Sequence, residues 1–181
     1  MEEEFGDSLE IEWRSFLLRP RPAEKRDLEK FARYTESWLR PAAEPDAPSF
    51  RVWESGDGPP SHSVPPHLVA KAAASLGAES FRGIHDRLMR AYFGENRDIT
   101  ATATLRAIWS EAGLPESEFE RSEAPALLEE TLGQHREAVA LGVTGVPASG
   151  VAGSDVYIVG AHSAELYRHW IRRLQSGVLE E

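Results

Sequence analysis

The chain has 181 residues, 41% of them apolar, which suits one domain, or a small domain with an insertion, able to bury a core. Its formal charge of -10 argues against nucleic acid and anionic membrane surfaces as partners, and reads as solubility. It has no cysteine, which excludes disulfides, thiolate metal ligands and thiol catalysis together. No apolar run reaches the roughly 18 residues of a membrane span. The first five residues are acidic and lack the basic-then-apolar pattern of a signal peptide, so a cytoplasmic location is expected.

Residues 9–18 (LEIEWRSFLL) are predicted as a strand, with Leu9, Ile11, Trp13 and Ser15 alternating against Glu10, Glu12 and Arg14. Pro20 and Pro22 stop it. Residues 23–39 place Leu28, Phe31, Thr35, Trp38 and Leu39 on one face of a predicted helix, with Pro22 near its first turn. Residues 41–66 hold Pro41, Pro45, Pro48, Pro59, Pro60, Pro65 and Pro66, and are expected to form a loop reaching across an active-site face.

Helices are then predicted over 66–76, with Gly77 as a stop, and over 78–93, with Phe81, Ile84, Leu88, Met89 and Tyr92 in register. Two more are predicted over 100–112, ending at Gly113, and over 125–141. Short β runs at 147–151 and 156–159 flank a Gly153-Ser154-Asp155 turn, a hairpin pattern. Ser163 is the expected N-cap of a last helix, whose buried face would be Leu166, Tyr167, Trp170, Ile171 and Leu174. The order is α/β, interrupted by a helical block.

Few residues carry chemistry. Gly142-Val143-Thr144-Gly145-Val146-Pro147 stands between a helix and a strand. The residues alone leave two readings open: a cis-proline loop, or a tight turn into an edge strand. Gly160-Ala161-His162-Ser163 precedes the last helix, where free N–H groups can receive a carboxylate, or where Ser163 simply caps. The six histidines, at 62, 67, 85, 135, 162 and 169, form no metal-ligand spacing. Ser61-His62-Ser63 is discounted as a nucleophile with its base, because neighbours on an extended chain point to opposite sides. There is no Gly-x-Ser-x-Gly elbow, and paired carboxylates such as Glu129-Glu130 read as solvated surface.

Four segments carry a resemblance: residues 9–20 (LEIEWRSFLLRP), 58–74 (GPPSHSVPPHLVAKAAA), 91–114 (AYFGENRDITATATLRAIWSEAGL) and 136–161 (REAVALGVTGVPASGVAGSDVYIVGA). Together they resemble the DsbA-like branch of the thioredoxin superfamily, and more narrowly its FrnE-type members and the hydroxychromene-carboxylate isomerases. The resemblance implies one domain over 1–181. Its thioredoxin-like part would be residues 1–40 and 136–181, and its helical insertion residues 60–135. It implies a cis Val146–Pro147 bond. It also implies that Thr144, Gly145, Val146 and Pro147 hold an extended peptide or a thiol substrate, with His162 and Ser163 near the γ-glutamyl end of glutathione. No cofactor is expected beyond glutathione.

Family members open with a strand and a Cys-x-x-Cys or serine-containing turn before the segment like residues 9–18. That segment begins so near Met1 that the first strand and active-site helix are expected to be missing. Disulfide exchange needs a thiolate, and no residue here supplies one, so no catalytic residue is assigned. The expected function is a DsbA-family oxidoreductase-like protein that is redox-inactive by itself. The alternatives are a glutathione-dependent isomerase or transferase of the hydroxychromene-carboxylate type, and a non-catalytic peptide-binding or scaffold module. No nucleic-acid, membrane or metal partner is expected. Self-association through the gap of the missing strand is expected, because that strand would lie between residues 9–18 and the strand after Pro147.

Overall fold

Helices and helical turns carry most of the order in this structure, a computed structural model that describes residues 2–23, 27–43, 48–56, 58–154 and 156–176. Pro45 of the predicted loop, Asp155 of the predicted turn and residues 24–26 of the second predicted element lie outside them. In chain order the elements are α1 (Glu2–Phe5), α2 (Leu28–Thr35), α3 (Val64–Ala74), α4 (Ala78–Met89), α5 (Thr102–Glu111), α6 (Pro125–Ala140), β1 (Ala148–Gly150), β2 (Tyr157–Val159) and α7 (Ala164–Gln175). The chain divides into two units, Leu17–Gln134, and Met1–Phe16 with His135–Glu181.

In the unit Leu17–Gln134, α2 starts at Leu28, later than the periodicity implies. Asp27 caps it, its side chain accepting from the Lys30 N–H at 2.9 Å. A 3-10 turn, Glu36–Leu39, follows. Phe31 and Trp38 bury against Trp53, flanked by Phe50, Tyr92 and Phe93. Edge-to-face pairs such as Trp38–Phe93, with centroids 4.8 Å apart, add about 0.5–1.5 kcal/mol each beyond area burial. This packing ties Phe31 and Trp38 into the unit Leu17–Gln134.

The larger core lies among α3, α4, α5 and the 3-10 turn Glu116–Glu123. It comprises Val69, Ala72, Ala73, Ile84, Leu88, Leu105, Ile108, Trp109 and Phe119, all buried. α3 starts two residues before the predicted position, because Pro65 and Pro66 fit a first turn whose N–H groups lack intrahelical partners. α4 ends at Met89, where residues 78–93 predict one continuous helix. A π turn, Arg90–Gly94, replaces the last turn, and Met89 is exposed rather than buried.

That turn changes the status of the proline-rich segment. The Arg51 N–H donates to the Phe93 carbonyl at 2.8 Å, and the Glu54 N–H donates to Asn96 Oδ1 at 3.0 Å. The Trp53 N–H donates to Thr35 Oγ1 at 2.8 Å. A Cβ at Gly94 would stand 3.0 Å from the Ser49 carbonyl oxygen. Ala23 N–H donates to the Ser61 carbonyl at 3.2 Å, and Ser63 N–H to the Arg19 carbonyl at 2.8 Å. The expected loop is thus anchored in its stretches 48–56 and 58–66.

In the terminal unit, the predicted strand over residues 9–18 does not form. Alternation alone makes no strand, since a strand needs a ladder with a neighbour, and among the described residues the sheet contains only β1 and β2. Burial also disagrees with the pattern: Ser15 is buried and Trp13 is 53% exposed. The sheet described is the hairpin β1–β2, antiparallel with Ala148 opposite Val159 and Gly150 opposite Tyr157. The predicted face of α7 is only half covered at Tyr167, Trp170, Ile171 and Leu174, and Leu166 is exposed. Arg168 and Arg172 of α7 pair with Glu4 of α1. No helix among the described residues is long and apolar enough to cross a membrane.

Candidate functional site

α6 ends in a pattern that sets the direction of the loop after it. Gly142, at φ +82°, donates to the Val139 carbonyl at 3.0 Å, and Val143 N–H reaches back to the Ala138 carbonyl at 3.0 Å. This pair of bonds closes the helix with its glycine in the left-handed region, a conformation that costs other residues more. Val143 is buried and anchors the exit. Beyond it, Thr144, Val146 and Pro147 are exposed and Gly145 is half-buried.

The Val146–Pro147 peptide bond is cis. The Pro147 carbonyl accepts from the Gly160 N–H at 2.8 Å, extending the β1–β2 ladder by one rung. The backbone N–H and C=O of Val146 have no hydrogen-bond partner among the described residues. Gly150 has no room for a side chain: a Cβ there would meet the Tyr157 ring at 2.6 Å.

The same rung brings the second predicted segment beside the first. Gly160, at φ +99°, turns the chain into Ala161, His162 and Ser163. Ser163 caps α7, its Oγ accepting from the Leu166 N–H at 3.3 Å. His162 Nε2 lies 3.2 Å from the Val159 carbonyl oxygen, so that nitrogen carries a proton if the pair is a hydrogen bond. His162 and Ser163 are exposed. The loop therefore offers one unpaired backbone segment at Val146, a neighbouring imidazole and a capped helix N-terminus. None of these is a nucleophile poised for redox chemistry.

Titratable groups with displaced pKa values lie elsewhere. Burial pushes the Tyr92 hydroxyl up to about 12, against the opposing field of Arg19. Burial lowers His85, against the opposing field of Asp86. Hydrogen bonds from Arg97 and Arg87 hold Glu111 below the usual carboxylate value. For Glu95, burial raises the pKa, and the bonds from Arg87 and Arg97 outweigh it. These two carboxylates and two guanidiniums tie α4 to α5 and to the residues between them, and read as framework. No group of three or more metal-ligating side chains occurs among the described residues.

The unit Leu17–Gln134 holds an arrangement that the sequence reading discounts. Ser61 Oγ and His62 Nδ1 are 2.9 Å apart. The extended alternation that would separate them is lost, because the chain bends at Ser61 and again at Ser63 after the buried pair Pro59-Pro60. The two consecutive prolines before the serine favour extended backbone, so nothing local in the sequence marks that bend.

A family model described as a DSBA-like thioredoxin domain matches residues 2–172. Among solved structures, a protein of Nitrosomonas europaea assigned as a protein disulfide isomerase superposes with a TM-score of 0.72 at 19% identity, covering 86% of this chain and 79% of its own. The cytosolic disulfide reductase DsbM of Pseudomonas aeruginosa superposes at 0.64 with 20% identity, covering 89% of this chain and 80% of its own. The structure of DsbM with GSH gives 0.63 at the same identity and coverage. No curated protein sequence matches. At these identities the structural likeness speaks for the fold.

Proposed function

Because the chain belongs to the DSBA-like thioredoxin domain family, we propose that it holds a substrate of that family without supplying the thiol chemistry. The substrate is an extended peptide or a small thiol, with glutathione as the specific candidate. The holding residues are Thr144, Gly145, Val146 and Pro147, with His162 and Ser163 at the neighbouring turn. The carrying observation is the family match over residues 2–172 in a chain that contains no cysteine. Disulfide exchange proceeds by attack of a thiolate on a disulfide sulfur, and these 181 residues contain no thiol.

The unpaired backbone of Val146 supports the reading. An extended peptide laid beside it gains main-chain hydrogen bonds of the kind used in strand addition. The likeness to the cytosolic disulfide reductase DsbM favours a cytosolic partner. The test has two arms. Insulin reduction by the purified chain is expected to equal the blank. Titration with glutathione, and with an extended peptide, is expected to shift the backbone amide resonances of Thr144, Gly145 and Val146. Reductase activity that tracks the chain through purification, or amides that stay still with both ligands, would refute the proposal.

A further inference from the structure

The proline-rich segment holds a serine and a histidine that the function above leaves unused. Ser61 Oγ lies 2.9 Å from His62 Nδ1, a hydrogen-bond distance for a hydroxyl donating to the ring nitrogen. In that arrangement Nδ1 is the acceptor and Nε2 carries the ring proton. Both residues are half-buried, so the pair is partly withdrawn from water and still reachable.

The backbone around them is held from three sides. The Ser61 N–H donates to Thr100 Oγ1 at 3.4 Å, and Asp98 Oδ1 fixes that threonine through its hydroxyl at 2.6 Å and its amide at 2.8 Å. The Ser61 carbonyl accepts from Ala23, and Ser63 is clamped to Arg19 by Ser63 N–H to the Arg19 carbonyl at 2.8 Å and Arg19 N–H to Ser63 Oγ at 3.1 Å. Pro59 and Pro60 are buried. The pair is therefore a fixed geometry, which a serine needs if a neighbouring base is to take its proton. α3 begins at Val64, so the positive end of that helix lies three residues along the chain from Ser61 and favours negative charge nearby.

We propose that Ser61 is a nucleophile for acyl transfer from carboxylic esters, with His62 as its general base. Ser61 Oγ adds to the ester carbonyl carbon while its proton passes to His62 Nδ1. The bond from that carbon to the alcohol oxygen then breaks, and the imidazolium returns the proton to the departing oxygen. The products are an acyl ester on Ser61 and one alcohol. Asp98 reaches the pair through Thr100 and not through His62, so the acceleration expected is that of a positioned base without a third member.

The full chain is treated with p-nitrophenyl acetate, nitrophenolate release is followed, and the acetyl group is located by peptide mass spectrometry. One acetyl group on Ser61 is expected, absent in Ser61→Ala. His62→Gln is expected to slow acetylation of Ser61 about 100-fold, within the range typical of a general base. Circular dichroism of each variant confirms that it folds, and mapping of the wild-type chain tests the site without any substitution. An unmodified wild-type chain, acetyl groups confined to lysines or histidines, or Ser61 acetylated equally fast in folded His62→Gln, overturns the proposal.

Discussion

Two threonines with fully buried side chains differ in one respect. Thr35 Oγ1 accepts from the Trp53 N–H at 2.8 Å and donates to the Ala32 carbonyl at 2.7 Å. Thr131 Oγ1 is buried with no hydrogen-bond partner among the described residues. Replacing either by valine keeps nearly the same shape, so area and cavity effects are small and similar. At Thr35 the change leaves a buried main-chain N–H without an acceptor, which costs about 1–3 kcal/mol. At Thr131 it removes a hydroxyl already desolvated without return, so the expected effect runs from zero to about 1 kcal/mol of added stability. Urea unfolding followed by tryptophan fluorescence measures both. With a slope of about 1–3 kcal/mol per molar, Thr35→Val is expected to lower the midpoint by roughly 1 M, and Thr131→Val to leave it or raise it. Equal losses in the two variants would refute the reasoning, because the bond to Trp53 would then contribute nothing of its own.

Gly150→Ala places a methyl carbon 2.6 Å from the Tyr157 ring, so the ring must move and the β1–β2 hairpin is expected to lose about 1 kcal/mol, read as faster amide exchange at Gly160. Exchange unchanged from wild type would show that Tyr157 swings away freely. Acid is expected to weaken the fold through Glu95 and Glu111, whose folded pKa values lie below the ordinary 4.5. Their contribution is complete above that value and is lost as pH falls through the lowered one, because the unfolded chain takes up protons first. The urea midpoint should therefore fall more gently with acid in Glu111→Gln than in wild type; parallel curves would count against it. His85 is kept neutral by burial, so its ring protons should titrate below the ordinary 6.5 in the folded chain by NMR, and a midpoint at or above that value contradicts the burial argument.

The parts of the fold that could be read from sequence are those where one local signal decides the outcome. Ser163 caps α7 because a serine oxygen three residues before a free amide has few better options. The end of α6 follows from Gly142, and the hairpin from two short runs around Gly153. The segments 144–147 and 160–163, which hold the candidate substrate-binding residues, meet at a single rung, Gly160 to Pro147, that continues the hairpin register. What could not be read depends on partners distant in sequence. The alternation at Leu9, Ile11 and Trp13 looks like a strand, yet the sheet among the described residues contains only β1 and β2. The apolar period Ile84, Leu88, Tyr92 runs on into the π turn, whose wider bonding, as in Glu95 N–H to the Arg90 carbonyl, leaves no mark in side-chain spacing. Ser61 and His62 escaped because side-chain direction follows local bending, which an extended reference ignores.

The exposed loop around Thr144 also makes this chain a convenient host for a single reporter. A cysteine placed at Thr144 would be the only thiol among these 181 residues, so a maleimide dye or spin label attaches there without background and without first deleting native thiols. With no second thiol in the chain, such a residue cannot close an internal disulfide. The rate at which it exchanges with oxidised glutathione then reports the acidity that this loop confers on a sulfur atom, free of the coupling that a paired cysteine introduces.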